Sequence, residues 1–191
     1  MNIEVEIKVK TDRLDELKIK LSKVGRLVKS IRQIDEYYIP CQRDFFARKP
    51  YPIEWLRIRT NPDKVIFEYD RSICKRADGL QDYAEEYETE ISNPDEFRNI
   101  LRFLDFKHIT TVDKQREYWD CGDFEVALDV VRGLGSFIEI EAKRDFKDAV
   151  TARRGCMKFL EELGMTVREE DLVKSGYPDL LLEANKKTQM R

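Results

Sequence analysis

The sequence predicts an α+β chain: a mainly antiparallel, closed or nearly closed sheet with helices packed over its outward apolar faces. Three observations predict it. Alternation of apolar and ionisable residues at strand period recurs along the chain, first at Ile3–Lys10. Turn signals join several of these stretches into hairpins. Stretches with helical apolar spacing are fewer, so strands outnumber helices.

Each element can be justified in order. In Ile3–Lys10, Ile3, Val5, Ile7 and Val9 share one strand face, and Glu4, Glu6, Lys8 and Lys10 the other. Thr11 or Asp12 then caps a helix whose stripe is Leu14, Leu17, Leu21 and Val24, with Gly25 as its stop. Ile31–Pro40 reads as a short strand, and Cys41–Pro52 as a loop of basic and aromatic residues. Glu54–Thr60 is a strand with Arg57 and Arg59 on one face; Asn61-Pro62-Asp63 turns it into Lys64–Asp70. Arg71–Asp82 reads as a loop. Glu85–Ile91 aligns Glu86, Glu88 and Glu90 on one face. Asn93-Pro94-Asp95-Glu96 opens a helix with stripe Phe97, Ile100, Leu101 and Leu104.

Thr111–Trp119 and Asp123–Val131 form a hairpin, the first strand placing Lys114 and Arg116 together and the second aligning Glu125, Ala127 and Asp129. Gly133–Gly135 turns into Phe137–Lys143, where Glu139 and Glu141 alternate with Ile138 and Ile140. A helix follows over Lys147–Leu163, ended by Gly164, and Glu169–Ala184 suggests two short helices broken at Gly176 and Pro178. Strands of alternating acids lead into helices near Glu4, Glu86 and Glu139, which suggests a duplicated half. Residues 1–184 read as one domain and 185–191 as a flexible tail.

Composition narrows the function. Charged residues make up 38% of the 191 residues, yet the formal net charge is only −3. That excludes a nucleic-acid binder acting by bulk attraction. A hydrophobic fraction of 41% excludes a disordered chain. Cys41, Cys74, Cys121 and Cys156 form no C-x-x-C site, and His108 is the single histidine, so zinc is not expected. Free thiols, no secretory signal and no long apolar run point to a cytoplasmic chain with no membrane partner.

If the apolar faces pack under helices, the charged faces share an interior. A barrel of about eight strands has room for side chains or one small ligand. Charge there must be wet, ion-paired or built for a charged ligand. Carboxylates without His or Cys suit Mg²⁺ or Mn²⁺, and Arg and Lys suit phosphate. Internal ion pairs, or ordinary solvent-facing strands, are the plainer alternative.

The ordered set Glu4-Val-Glu-Ile-Lys8, Asp35 with Tyr37, Leu56-Arg-Ile-Arg59, Glu86/Glu88/Glu90, Lys114-Gln-Arg116, Leu128-Asp129 and Leu134-Gly-Ser-Phe-Ile-Glu139-Ile-Glu141 resembles the CYTH superfamily, the triphosphate tunnel metalloenzymes. The order is most similar to the class IV adenylyl cyclase-like branch, over about residues 2–182. The resemblance implies an eight-stranded antiparallel tunnel, a divalent metal, a triphosphate-bearing small molecule as substrate, and a homodimer. It implies Glu4, Glu6, Glu139 and Glu141 as metal ligands, assisted by Glu88 and Glu90. Lys8, Arg57, Arg59, Lys114 and Arg116 would hold phosphate oxygens, with Glu4, Glu6 and Lys8 central to catalysis. One departure stands out: Glu68 occupies the place where the family carries a lysine, in Val65-Ile-Phe-Glu-Tyr-Asp-Arg71. The leading expectation is a metal-dependent triphosphatase working by in-line water attack. A class IV adenylyl cyclase and a non-catalytic polyphosphate- or nucleotide-binding module are the alternatives.

Overall fold

The structure is a computed structural model that describes residues 5–47, 52–73, 83–143 and 146–189. Its strands are β1 (Glu6–Lys10), β2 (Arg26–Ile39), β3 (Glu54–Thr60), β4 (Val65–Ile73), β5 (Tyr83–Glu90), β6 (Lys107–Asp120), β7 (Phe124–Val131) and β8 (Gly135–Ala142). Its α-helices are α1 (Leu14–Val24), α2 (Pro94–Phe103), α3 (Ala149–Glu162) and α4 (Tyr177–Gln189). The strands form one eight-stranded sheet in the order β1-β8-β7-β6-β2-β3-β4-β5. Each hairpin, and the β1–β8 pair, is antiparallel. The α+β class and the eight strands are as the sequence predicts. Among the described residues the pairing series runs open from β1 to β5, and closure into a barrel is not part of it. Residues 1–4 lie outside the described residues.

Two compact units divide the chain, one drawn from Ile3–Ile31 and Lys114–Lys174, the other from Arg32–Asp113 and Ser175–Arg191. In the first, the apolar residues Ile7, Val9, Val126, Leu128, Ile138 and Ile140 line one sheet face. Leu17 and Leu21 of α1 and Cys156 and Leu160 of α3 cover that face. Burying such side chains is worth roughly 1.5–3 kcal/mol each. In the second, Leu56 and Ile58 of β3 pack with Tyr38, Phe45 and Leu101 of α2. Period two then sends the ionisable residues of the same strands to the opposite face.

Local chemistry explains the element ends. Asn93 caps α2, its side chain accepting from the Glu96 N–H at 3.3 Å, and Asp148 caps α3 through the Thr151 N–H at 2.7 Å. Gly25 must be glycine for space: a Cβ there would lie 2.5 Å from the Cys121 sulfur and 2.7 Å from the Asp120 carbonyl oxygen. The β7–β8 turn needs left-handed backbone at Gly133 and Gly135.

Several boundaries differ from expectation. Thr11 does not cap α1; its hydroxyl accepts from the Arg13 N–H, and the helix starts at Leu14. The strand expected over Ile31–Pro40 begins at Arg26, because residues 26–30 are exposed and show no alternation. On α2, Leu101 is buried but Ile100 and Leu104 are mostly exposed, so its buried stripe is narrower than the apolar pattern. Pro178 lies in the first turn of α4, where a missing N–H costs little. The helix continues through Gln189, over most of the segment expected to be a flexible tail. β4 runs to Ile73, into the stretch read as a loop; residues 74–82 lie outside the described residues. No helix among the described residues is long and apolar enough to cross a membrane.

Candidate functional site

In the first unit, strand register assembles a charged face. Glu6 stands opposite Glu141, and Lys8 opposite Glu139. Glu139 in turn faces Ala127, and Arg116 faces Asp129. The small Ala127 side chain stands between Glu139 and β6, so the Arg116 guanidinium can reach across β7. It holds both oxygens of Asp129, with Nε 2.7 Å from Oδ1, and also bonds Glu139. Lys8 Nζ lies 2.9 Å from the other Glu139 oxygen and 3.8 Å from Glu6. Asp129, Lys114 and Glu139 are buried.

Electrostatics follow from this crowding. Burial pulls the Lys8 ammonium down, but Glu139 and Glu6 outweigh it and leave its pKa above the ordinary value. Burial would raise Glu139, yet Arg116, Lys8 and Lys114 hold its carboxyl well below the usual range. Glu6 is different: burial, then the Glu139 charge, push it up to about 7 despite Lys8 and Arg116. Glu6 is thus the carboxylate of this face that is short of positive charge.

In the second unit a separate charged face forms. Arg59 donates to both oxygens of Asp35, at 2.8 and 3.3 Å. Arg57 donates to the Tyr37 hydroxyl at 3.0 Å and to Glu68, and lies 3.6 Å from Asp70. Burial pulls both guanidinium groups down, but the acids beside them leave both above their ordinary range. Glu68, 1% exposed, also approaches Arg59 at 3.3 Å. Oxygens of Glu68, Asp70 and Glu86 lie within 4.8 Å of one another, close enough to share one cation.

The expected residues therefore fall into two groups. Glu6, Lys8, Lys114, Arg116, Glu139 and Glu141 share the first face, where Lys143 pairs with Glu141 at 2.8 Å. Arg57 and Arg59 lie on the second. Glu4 lies outside the described residues. Glu88 and Glu90 are exposed on β5, and it is Glu86 that reaches the acidic group. Asp70 was missed altogether, although its two-residue spacing from Glu68 puts both on one strand face. His108 is exposed, edge-on to Tyr38, and hydrogen-bonds Thr111 at 2.9 Å, as befits a surface residue. Cys41, Cys121 and Cys156 are free thiols; Cys74 lies outside the described residues.

Residues 2–177 match the CYTH domain family. A Methanocaldococcus jannaschii protein, MJ0240, named as a candidate adenylate cyclase, is 30% identical over 180 residues, spanning 93% of this chain and 98% of its own. The structure of PH1819 from Pyrococcus horikoshii superposes with a TM-score of 0.78 at 31% identity, covering 94% of this chain and 98% of that one. A Hippeastrum protein, described as a candidate adenylyl cyclase with a dominant triphosphatase activity, shares the fold at a TM-score of 0.64 and 17% identity. That likeness spans 97% of this chain and 96% of the other.

Proposed function

The chain belongs to the CYTH family, whose members are metal-dependent triphosphatases or cyclases, and from that premise we propose that it is a divalent-metal-dependent hydrolase of triphosphate-bearing small molecules. The observation that carries the reading is the face on which Lys8, Lys114 and Arg116 are gathered against Glu6, Glu139 and Glu141.

The donor set fits the metal. It offers only carboxylate oxygens, as a hard dication requires. Glu6, whose carboxyl is pushed up by burial and then by the Glu139 charge, is an acid that a dication beside it would hold ionised. Glu6, Glu139 and Glu141 would hold the cation, with Glu4. When bound, Mg²⁺ or Mn²⁺ would neutralise charge on the phosphoryl oxygens during in-line transfer to water.

The chain's own residues do the rest. Lys8 and Arg116 are oriented by Glu139 before substrate arrives, so their N–H groups need little rearrangement to meet phosphate oxygens. In the second unit, Arg57 and Arg59 offer planar, permanently charged donors suited to phosphate oxygens. Lys114, buried beside Glu139, adds a third cation to the first face. This reading places the chain in the cytoplasm as a homodimer.

The name carried by the M. jannaschii relative favours a second reading, cyclisation of ATP, which would use the same charged faces with the substrate seated differently. Purified protein incubated with ATP and Mg²⁺ or Mn²⁺ separates the two. Orthophosphate release is the expected result, whereas cyclic AMP with pyrophosphate would establish the cyclase. Tight metal-dependent binding of both ATP and inorganic triphosphate without any product would leave only a binding module.

A further inference from the structure

Glu68 sits where an anion would otherwise meet the arginines of the second unit. Its carboxylate bonds Arg57 through one oxygen and lies 3.3 Å from Arg59 through the other. The group is buried, and it is chemically incomplete. Among the described residues, Oε2 of Glu68 and Oδ1 of Asp70 accept no hydrogen bond, and Nε of Arg57 donates none. A buried polar atom left in that state is a cost to the fold. The three atoms call for opposite things: two oxygens want a cation or donor, and one N–H wants an acceptor. A free phosphate chain could satisfy only Arg57, and would meet the Glu68 charge as it did so. A bare cation could satisfy only the carboxylates. A phosphate chain carrying its own divalent cation satisfies all three.

Charge count agrees. Arg57 and Arg59 face Asp35 and Glu68, so the pairs already cancel. The arginines of this face therefore offer a free polyanion little net attraction. The oxygens of Glu68, Asp70 and Glu86, within 4.8 Å of one another, lie on the same strand pair.

We propose that Glu68 makes this face selective for the divalent-metal complex of a phosphate chain over the free anion: Arg57 and Arg59 take phosphate oxygens while Glu68, Asp70 and Glu86 take the cation that arrives with them. The inference rests on the triphosphatase reading and adds to it the form of the substrate.

Calorimetric titration with imidotriphosphate, a triphosphate analogue that resists hydrolysis, tests it in chelator and in Mg²⁺. Wild type should bind at least tenfold tighter with Mg²⁺. In Glu68→Gln the chelator affinity should rise at least threefold and the Mg²⁺ gain should shrink. The variant should fold, because the amide keeps the size of the side chain and an oxygen that can accept from Arg57. Asp70→Asn, which keeps the Glu68–arginine pairs, should shrink the Mg²⁺ gain without raising the chelator affinity. If wild type binds with Mg²⁺ but both variants keep the full gain, this inference alone falls. If wild type binds the analogue in neither condition, the triphosphatase reading falls and the inference with it.

Discussion

Glu6→Gln should lower metal-dependent triphosphate turnover at least a hundredfold while making the protein more stable at pH 8. The two effects have one cause. Glu6 shares its face with Glu139 and Glu141, and its carboxyl is pushed up to about 7 by burial and by Glu139. A group with a raised folded pKa stabilises fully below its unfolded value near 4.5, and that contribution is lost as pH rises through about 7. The neutral amide escapes the loss, a gain on the order of 1–3 kcal/mol at pH 8. On the proposed function the same substitution also removes a carboxylate that would hold the metal, and even outer partners of metal sites cost about 10–100-fold when replaced. Urea unfolding at pH 5 and pH 8, set beside initial rates, measures both. Wild type should lose stability between the two pH values more than the variant does. An active variant would remove β1 from the metal site.

Arg116→Ala should destabilise the fold by about 3–5 kcal/mol, the usual cost of orphaning a buried charge. Arg116 is the common partner of Asp129, 0% exposed, and Glu139. Its loss leaves Asp129 without that clamp and Glu139 with less positive charge than holds it ionised. The deficit should narrow at acid pH, because Glu139, left with less positive charge beside it, can then protonate. Replacing Asp129 by Ala in the same chain should recover part of the loss, since the acid that Arg116 clamps is then gone as well. Denaturant unfolding across pH 4–8 decides the matter; a loss under about 1 kcal/mol would mean that these ion pairs are solvated.

Period two made much of this legible. Glu6 with Lys8, Arg57 with Arg59, and Glu139 with Glu141 each had to share a face once their strands were recognised. The β1–β8 and β6–β7–β8 registers then brought together most of the charged residues named from sequence for the first unit. What the sequence could not show was reach across strands. Nothing in the spacing of Glu86, Glu88 and Glu90 says which of them meets Glu68 and Asp70, because that depends on how the strand pair twists. Ala127 looked inert, yet its small side chain leaves Arg116 a path to Glu139. Glu68 stood out as a charge reversal, but its place between two arginines required coordinates. Burial on helices was harder still: Ile100 and Leu104 fit the apolar stripe of α2 and remain mostly exposed, since the period specifies a face but not how much of it is covered.

The most direct test of the assigned function is the release of orthophosphate from inorganic triphosphate as Mg²⁺ is titrated into metal-free protein. Release that is at background in chelator and rises to saturation with Mg²⁺ is the predicted result. Release that is unaffected by chelator, or absent at every Mg²⁺ concentration in folded protein, would contradict it.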